Sequence, residues 1–455
     1  MDDVIAAIGT AWGEAAIAVV RLSGGGCVAL LDGVFRGRRP LSCEPPRRMA
    51  LGRIADGDVL VDQVLAVRFP HGASYTGEES CEVHCHGGLA AARRCMDLLL
   101  RAGARVALPG EFTKRAFLSG RIDLAQAEAV LGVIRAKSDA ALAASNRSLQ
   151  GELSARLRAL MDDLTHLRAS LEVRLDYPEE VDGVESGEIA GEVARIADVA
   201  RALGERCRVG LLLKNGAAVS ICGPPNAGKS SLLNALLGEE RAIVTALPGT
   251  TRDTVDAPLV HRGVPLRLVD TAGIREANDE IERIGIERSR RAMEGADLRL
   301  LVLDASAPPT AEAAALADGL YGRPALLVLN KSDLPSVLSD ADVEDFSRRG
   351  AFASVLRVSA WRGEGIAALK DALVDALLGG SAPDDGYAAT ERMVDALASA
   401  LACLREAEEA LARGEGIDVA GSLLADASAF LGAPLGADAT EELLDSIFAN
   451  FCVGK

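Results

Sequence analysis

Gly223-Pro224-Pro225-Asn226-Ala227-Gly228-Lys229-Ser230 fits G-x-x-x-x-G-K-[ST], a loop that carries a strand into a helix. Its chemistry is anion binding. Backbone N–H groups of the loop and helix start, from Ala227 and Gly228 through Ser231, can cradle phosphates; Lys229 reaches the outer phosphates and Ser230 offers a hydroxyl to Mg2+. Three further segments follow in order. Gly249-Thr250-Thr251-Arg252-Asp253 supplies hydroxyls that could complete the Mg2+ shell, Thr251 among them, and sense a γ-phosphate. Asp270-Thr271-Ala272-Gly273 follows the apolar run Leu266 to Val269 and gives a carboxylate on the Mg2+ side and a glycine N–H toward the γ-phosphate. Asn330-Lys331-Ser332-Asp333 closes another apolar run, and the Asp333 carboxylate can accept from guanine N1–H and its exocyclic amine, which adenine cannot offer. Ser359-Ala360 suits a backbone contact to the guanine oxygen. A chance glycine turn explains one such segment but not four in this order. The set predicts a domain that binds GTP with Mg2+ and hydrolyses it.

One expected part is missing. Many GTPases place a Gln directly after the DxxG glycine to orient the attacking water. Here that residue is Ile274, which can neither donate nor accept, so another polar group must act. The stretch Asp279 to Gly285 offers several carboxylates, Glu282 among them, although acidic residues also favour any helix start through its dipole. His84-Cys85-His86 has both imidazoles on one face of a strand but no second Cys/His pair at ligand spacing, so a structural or ligand-adjacent role is favoured over zinc. The chain closes on Phe451-Cys452-Val453-Gly454-Lys455, and Cys452 is either a reactive thiol or a small buried anchor for the terminus.

These residues need elements to hold them. The first 118 residues alternate β-rich runs with Gly/Pro turns; Ala16 to Val20 and Val64 to Val67 read as strands and Leu89 to Ala102 as a helix, an α+β domain. Residues 119–214 read as helical. Leu149, Leu153, Leu157, Leu160, Leu164, Leu167, Leu171 and Leu175 form one stripe on a long helix, which ends near Tyr177-Pro178. Residues 215–378 alternate apolar strands with helices, as in a parallel sheet covered by helices. Residues 379–386 read as a linker and 379–455 as a second helical part, so the α/β domain is inserted into one helical domain. Asp438 to Glu441 has capping-box spacing for a last helix reaching about Asn450.

With 455 residues, 49% of them hydrophobic, the chain has length for about three domains and ample core. No apolar run of roughly 20 residues is present to cross a membrane. Nine scattered Cys fit reduced thiols, and a cytoplasmic protein is expected. A net charge of -17 weighs against a nucleic-acid face, although a local basic patch can sit inside an acidic total.

GPPNAGKSSLLNAL, the GTTRD loop, DTAGIR followed by EIERIGIERS, SYTGEES with EVHCHGG, LPGEFTKRAFLSGRIDLAQAEAV and the closing CVGK together resemble the MnmE (TrmE) family of tRNA-modification GTPases along the whole chain. The resemblance implies an N-terminal folate-binding-type α+β domain that also dimerises, a discontinuous helical domain, and an inserted Ras-like P-loop G domain. It implies a homodimer whose G domains pair in a K+-dependent manner. Asn226 and the backbone carbonyls of Thr245, Leu247 and Thr250 would hold K+, and Glu282 would orient water. It further implies an FAD-dependent MnmG-like partner, with FAD on the partner, and addition of a carboxymethylaminomethyl-type group at C5 of a tRNA wobble uridine. The one-carbon unit would come from a 5-formyl or methylene tetrahydrofolate, held by Arg21, Glu82, Arg121 and Lys455, near Cys452. Two departures are Val453 and Arg121, where the family more often has Ile and Lys. Much of the tRNA contact is expected from the partner, given the acidic total. The competing expectation is an assembly GTPase of the Era or Der kind, which binds RNA without covalent chemistry; the folate-type cluster, the terminal Cys and the lack of a GXXG-bearing basic module argue against it.

Overall fold

A computed structural model describes residues 3–176, 186–238, 257–270, 295–414 and 416–454. Alternation of apolar and polar side chains along most strands of the first third produces a seven-stranded sheet with its main core on one face; at Ile5 and Ala7 the other face is buried too, against Ala107 and Phe112. Its strands are β1 (Ile5–Ile8), β2 (Ile17–Ser23), β3 (Phe35–Gly37), β4 (Ala50–Asp56), β5 (Val59–Phe69), β6 (Ser80–His86) and β7 (Arg105–Val106). They lie in the order β3-β4-β5-β6-β2-β1-β7, antiparallel except for β1 beside β7. On β6 the residues Cys81, Val83 and Cys85 are buried with Val20, Leu22 and Ala66, and α1 (Cys27–Val34) and α2 (Leu89–Arg101) supply Leu31, Cys95 and Leu99 to the same core. Glu82, His84 and His86 therefore face the other way, as period-two alternation requires. The two expected strands are present but longer: Ala16 to Val20 becomes Ile17–Ser23, and Val64 to Val67 becomes Val59–Phe69.

Helices follow as α3 (Glu111–Leu118), α4 (Leu124–Arg135), α5 (Asp139–Leu149), α6 (Glu152–Asp176) and α7 (Ser186–Asn215). The leucine stripe is shorter than its spacing promised. Leu149 ends α5, Gly151 turns the chain at φ 87°, and only Leu153 to Leu171 are buried on α6, while Leu175 is exposed. Helical periodicity continued in register across a two-residue break, so the pattern alone could not reveal the turn. The α3 helix carries a buried guanidinium. Arg115 is 2% exposed, and its charge is met by Asp3, Glu78 and Glu111 at 2.7, 3.1 and 3.1 Å. Such a cation is tolerated inside only with this pairing.

The α/β part holds a six-stranded sheet of β8 (Ala217–Cys222), β9 (Ala257–His261), β10 (Val264–Asp270), β11 (Leu298–Asp304), β12 (Ala325–Asn330) and β13 (Val355–Arg357). The order is β13-β12-β11-β8-β10-β9, parallel throughout except for β9, which joins the edge antiparallel through a tight turn at Arg262-Gly263. Its helices are α8 (Lys229–Leu237), α9 (Ala311–Gly319), α10 (Asp340–Gly350) and α11 (Ile366–Leu378). The central strands β8 and β12 are buried at every position, the mark of a sheet covered on both faces.

Residues 379–386 are not a loose linker. Pro383–Asp385 form a 3-10 turn, the carbonyl of Asp385 accepts from Arg206 Nε at 2.7 Å, and that of Gly386 accepts from Arg147. The chain then runs through α12 (Glu391–Ala412), α13 (Ile417–Gly432) and α14 (Glu441–Phe448). Thr440 caps α14, its side chain accepting from Leu443 N–H; the expected cap at Asp438 is displaced by two residues, and the helix stops two residues short of Asn450. By contacts the chain forms two compact units: Met1–Leu131 with Leu149–Val193 and Ala402–Lys455, and Gly132–Ser148 with Ala194–Leu401. No helix among the described residues is long and apolar enough to cross a membrane.

Candidate functional site

The phosphate-type loop leaves β8 at Cys222 and enters α8 at Lys229, so it turns at the carboxyl end of a central parallel strand. Two of its glycines are required by geometry. Gly223 (φ 149°) and Gly228 (φ 87°) hold left-sided backbone conformations; a Cβ on Gly223 would collide with the Val302 carbonyl, and one on Gly228 with the Asn330 amide. Asn226 also sits left-handed, at φ 61°, a conformation its residue type tolerates better than most. Gly228 caps α8 without a side-chain hydrogen bond, so the helix start directs backbone donors into the loop. Lys229 is 9% exposed and folds back, its Nζ donating to the carbonyls of Gly223 at 2.9 Å and Pro224 at 2.8 Å. A triphosphate fits this cradle: anionic oxygens are stronger acceptors for that ammonium than the neutral carbonyls that now hold it.

The segments expected to hold the base follow β12 and β13. Asn330 is a bracket. Its Nδ2 donates to the Ala227 carbonyl at 2.9 Å and its Oδ1 accepts from Ala360 N–H at 3.1 Å, which ties the phosphate loop to the turn after β13. The Ala360 N–H, expected to face the guanine oxygen, is thus already donated to Asn330. Lys331 is left-handed at φ 63° and its Nζ reaches Asp304 Oδ2 at 2.6 Å. Burial pushes the Asp304 carboxyl up, but hydrogen bonds from Lys331 and Ser306 outweigh it and hold the group below its ordinary value. Asp333 Oδ1 accepts from Ser359 Oγ at 2.6 Å, and this bond holds its carboxyl below the usual range as well.

Residues 359–364 form a closed turn: Ser359 N–H donates to the Glu364 carbonyl at 2.9 Å, and Gly363 N–H to the Ser359 carbonyl at 2.8 Å. Trp361 stands on it 88% exposed. Sequence reasoning passed over this residue, although an aromatic two positions after Ser359 was a visible signal. Ser230 and Ser231 lie in the first turn of α8. The backbone of Asp270 ends β10 beside Ile221 of β8. Thr245, Leu247, Thr250, Thr251, Thr271, Ala272, Gly273 and Glu282 lie outside the described residues.

A second cluster lies on the N-terminal sheet. Arg21 and Glu82 are directly opposed across β2 and β6, with Arg21 Nε 3.0 Å from Glu82 Oε1. That contact is an ion pair without hydrogen-bond alignment, which leaves the buried Nε–H without an acceptor. Glu82 Oε2 lies 3.3 Å from His84 Nε2, while His86 Nδ1 pairs with Asp62 Oδ1 at 2.7 Å and Cys85 is buried on the opposite face. The imidazoles are thus engaged by carboxylates, and Cys85 cannot join them on one ion. Tyr75 was not singled out from sequence. Its hydroxyl contacts Thr113 Oγ1 at 3.0 Å, and burial raises its pKa while Thr113 and the nearby Arg21 charge oppose that rise. Arg121 packs against Gly77 of the same loop and donates to the Gly72 carbonyl at 3.2 Å.

The C-terminus is docked. Phe451 is buried against Phe448, ring centroids 5.2 Å apart, beside Leu124 and Val130. The carbonyl of Cys452, not its thiol, accepts from Gly110 N–H at 3.4 Å, and Cys452 itself is exposed. Phe451 is therefore the anchor that Cys452 was considered for. Gly454 (φ 90°) lies so close to the Ile8 carbonyl and Gly9 that a Cβ would press on both, and Gly9 in turn abuts the Arg21 side chain. Val453 lines a cavity of about 550 Å³ with Ile8, Thr10, Trp12 and Met96. Arg21, Glu82 and Arg121 do not line it. Lys455 lies outside the described residues.

Two family models match the chain: the GTP-binding protein TrmE N-terminus over residues 4–121 and the MnmE helical domain over residues 124–452. The tRNA modification GTPase MnmE of Heliobacterium modesticaldum is 43% identical over 467 residues, covering 100% of both chains. Those of Thermus thermophilus and Clostridioides difficile are 43% and 38% identical, each covering 100% of this chain and 99% and 100% of their own.

The chain belongs to the MnmE family of tRNA modification GTPases.

The two MnmE-family models meet at residues 121–124, in the turn between α3 and α4. Gly223 to Ser230 follow β8 and Asp333 follows β12, at the same end of the sheet and separated by β11.

Proposed function

We propose that this GTPase acts in modification of tRNA at C5 of the wobble uridine, together with an FAD-dependent MnmG-like partner, using a one-carbon unit from tetrahydrofolate bound on the N-terminal sheet. The single observation that supports the folate part is the Arg21–Glu82 pair, set directly opposite on β2 and β6, with Gly454 of the tail docked against Ile8-Gly9 beside it. Glu82 can accept from the donor edge of a pterin, and Arg21, Arg121 and Lys455 can pair with the glutamate tail. The folate, when bound, supplies the carbon; this chain's residues orient it and bring Cys452 to the same edge.

In the nucleotide site Lys229 holds phosphate oxygens, Ser230 and Thr251 orient Mg2+, and Asp333 selects guanine. Asn226 with the carbonyls of Thr245, Leu247 and Thr250 would hold K+, placing a positive charge where other GTPases insert an arginine. Glu282 positions the attacking water in place of the absent Gln. A homodimer is supported by the β2–β6–β5 part of the open sheet face, short of the β3–β4 edge, where Ile17 and Leu65 stand exposed on the side that carries Glu82 and His84. The assembly-GTPase alternative is not favoured, because the resemblance to tRNA modification GTPases spans the whole chain.

Mass spectrometry of wobble nucleosides from cells lacking this protein tests the reading. The C5 substituent should disappear. An unchanged wobble-uridine profile would overturn it.

A further inference from the structure

The chain carries a net charge of -17, yet residues 36–53 hold six arginines (Arg36, Arg38, Arg39, Arg47, Arg48 and Arg53) and one carboxylate, Glu44. All six arginines are exposed. They gather at the edge of the N-terminal sheet, on β3, β4 and the segment between them. Only Arg39 is paired directly, by a two-point contact with Glu44 at 2.8 and 2.9 Å, while Arg48 and Arg38 share the field of that one carboxylate at longer range. Arg36 and Arg47 donate to backbone carbonyls, which carry no compensating charge. Arg38, Arg48 and Arg53 have no hydrogen-bond or ion-pair partner among the described residues.

The arrangement works against the fold in two places. Arg36 and Arg53 are direct cross-strand partners on β3 and β4, where like charges are destabilising. Arg47 holds a left-handed backbone, φ 60°, that its side chain disfavours. A positive patch that the chain leaves uncompensated while it carries an acidic excess elsewhere is complementary to an external polyanion. The guanidinium fork matches phosphate oxygens two at a time. The one aromatic within the strand pair, Phe35, is 3% exposed, so the patch offers charge without a stacking platform.

We propose that the β3–β4 arginine edge binds the phosphate backbone of tRNA, independently of sequence, and positions the RNA on the N-terminal sheet. The inference rests on the tRNA reading above and adds a surface to it. It also revises the expectation that an acidic chain leaves most RNA contact to its partner.

The test is binding of unfractionated tRNA to the full-length protein across a range of monovalent salt, measured by fluorescence anisotropy. The variant R38Q/R48Q/R53Q removes only unpaired, exposed guanidinium groups and should fold and hydrolyse GTP as the parent does. A control, R201Q/R348Q/R413Q, makes the same change in net charge at exposed sites outside the patch. The patch variant should lose about tenfold or more in affinity, and its log K against log salt slope should flatten by about 2–3, roughly one unit per phosphate contact. The control should keep the parental slope. Equal losses in the two variants, or an unaltered patch variant, would overturn the proposal. So would a parent protein that binds no tRNA at low salt, without touching the wobble-uridine reading, which the nucleoside profile decides alone. Patch-dependent capture by anionic phospholipid vesicles with no effect on tRNA would assign the edge to a membrane surface and also overturn it.

Discussion

Ser359 Oγ donates to Asp333 Oδ1 across 2.6 Å, and the Asp333 carboxyl is held below its ordinary pKa chiefly by that bond. In the proposed site, base selection needs the ionised form, which accepts both guanine donors. A depressed carboxylate keeps that form as pH falls and loses it only below its own lowered pKa. Ser359→Ala removes the donor, so the pKa should rise toward the ordinary value. Guanine-nucleotide affinity should then begin to fall at a higher pH than in the parent, with affinity near neutral pH changed far less. A titration of fluorescent GDP binding from pH 7 downward checks this, and superimposable acid limbs would show that Ser359 does not tune the carboxylate. Asp333 and Lys229 could be named from sequence because their neighbours repeat a spacing with known chemistry. Asn330's bracketing of Ala227 and Ala360 could not, since those partners lie 103 and 30 residues away and meet only through strand order.

At the scale of elements, α7 meets the segment after the 3-10 turn at Gly210. A Cβ there would overlap the Tyr387 carbonyl oxygen, and that backbone cannot yield. Tyr387 N–H donates to the Arg206 carbonyl at 3.1 Å, its ring lies 4.3 Å beneath the Arg206 guanidinium, and the residue is buried. Alanine is the better helix former by about 1 kcal/mol, whereas forcing a methyl into close-packed backbone costs about 1–3 kcal/mol or more. The overlap here is with main chain, so the steric cost wins. Gly210→Ala should lower the thermal unfolding midpoint, and calorimetry showing an equal or higher midpoint would refute the contact. The same place explains a misreading. Gly379 to Gly386 has the composition of a linker, and composition reports what a segment can do alone; Arg147 and Arg206 hold it from far away in sequence. Strand positions were legible, because an apolar run such as Ala217 to Cys222 has one way to be buried on both faces. The break at Gly151 was not, because the leucine spacing runs through it.

On the proposed reading the chemistry is divided between two units with their own cores, one carrying Arg21, Glu82 and Cys452, the other carrying the nucleotide loop. Two substitutions should therefore divide the function. Cys452 is exposed, and its fixed contact is made by its carbonyl, so Cys452→Ser leaves the Phe451 anchor and the Gly110 hydrogen bond in place. The exchange changes the chemistry of one atom and little else. If that thiol serves the uridine chemistry, Cys452→Ser should abolish C5 modification in cells and keep parental GTP turnover. Glu282→Ala should act on turnover at the other unit: GTP affinity retained, hydrolysis slowed by about 100-fold or more, as for loss of a group that positions or activates the nucleophile. The pair is read by nucleoside mass spectrometry and by phosphate release on the same two proteins. Intact modification in Cys452→Ser would return the tail to a purely structural part, whereas slowed hydrolysis in that variant would show that the two units share one catalytic cycle through the tail itself.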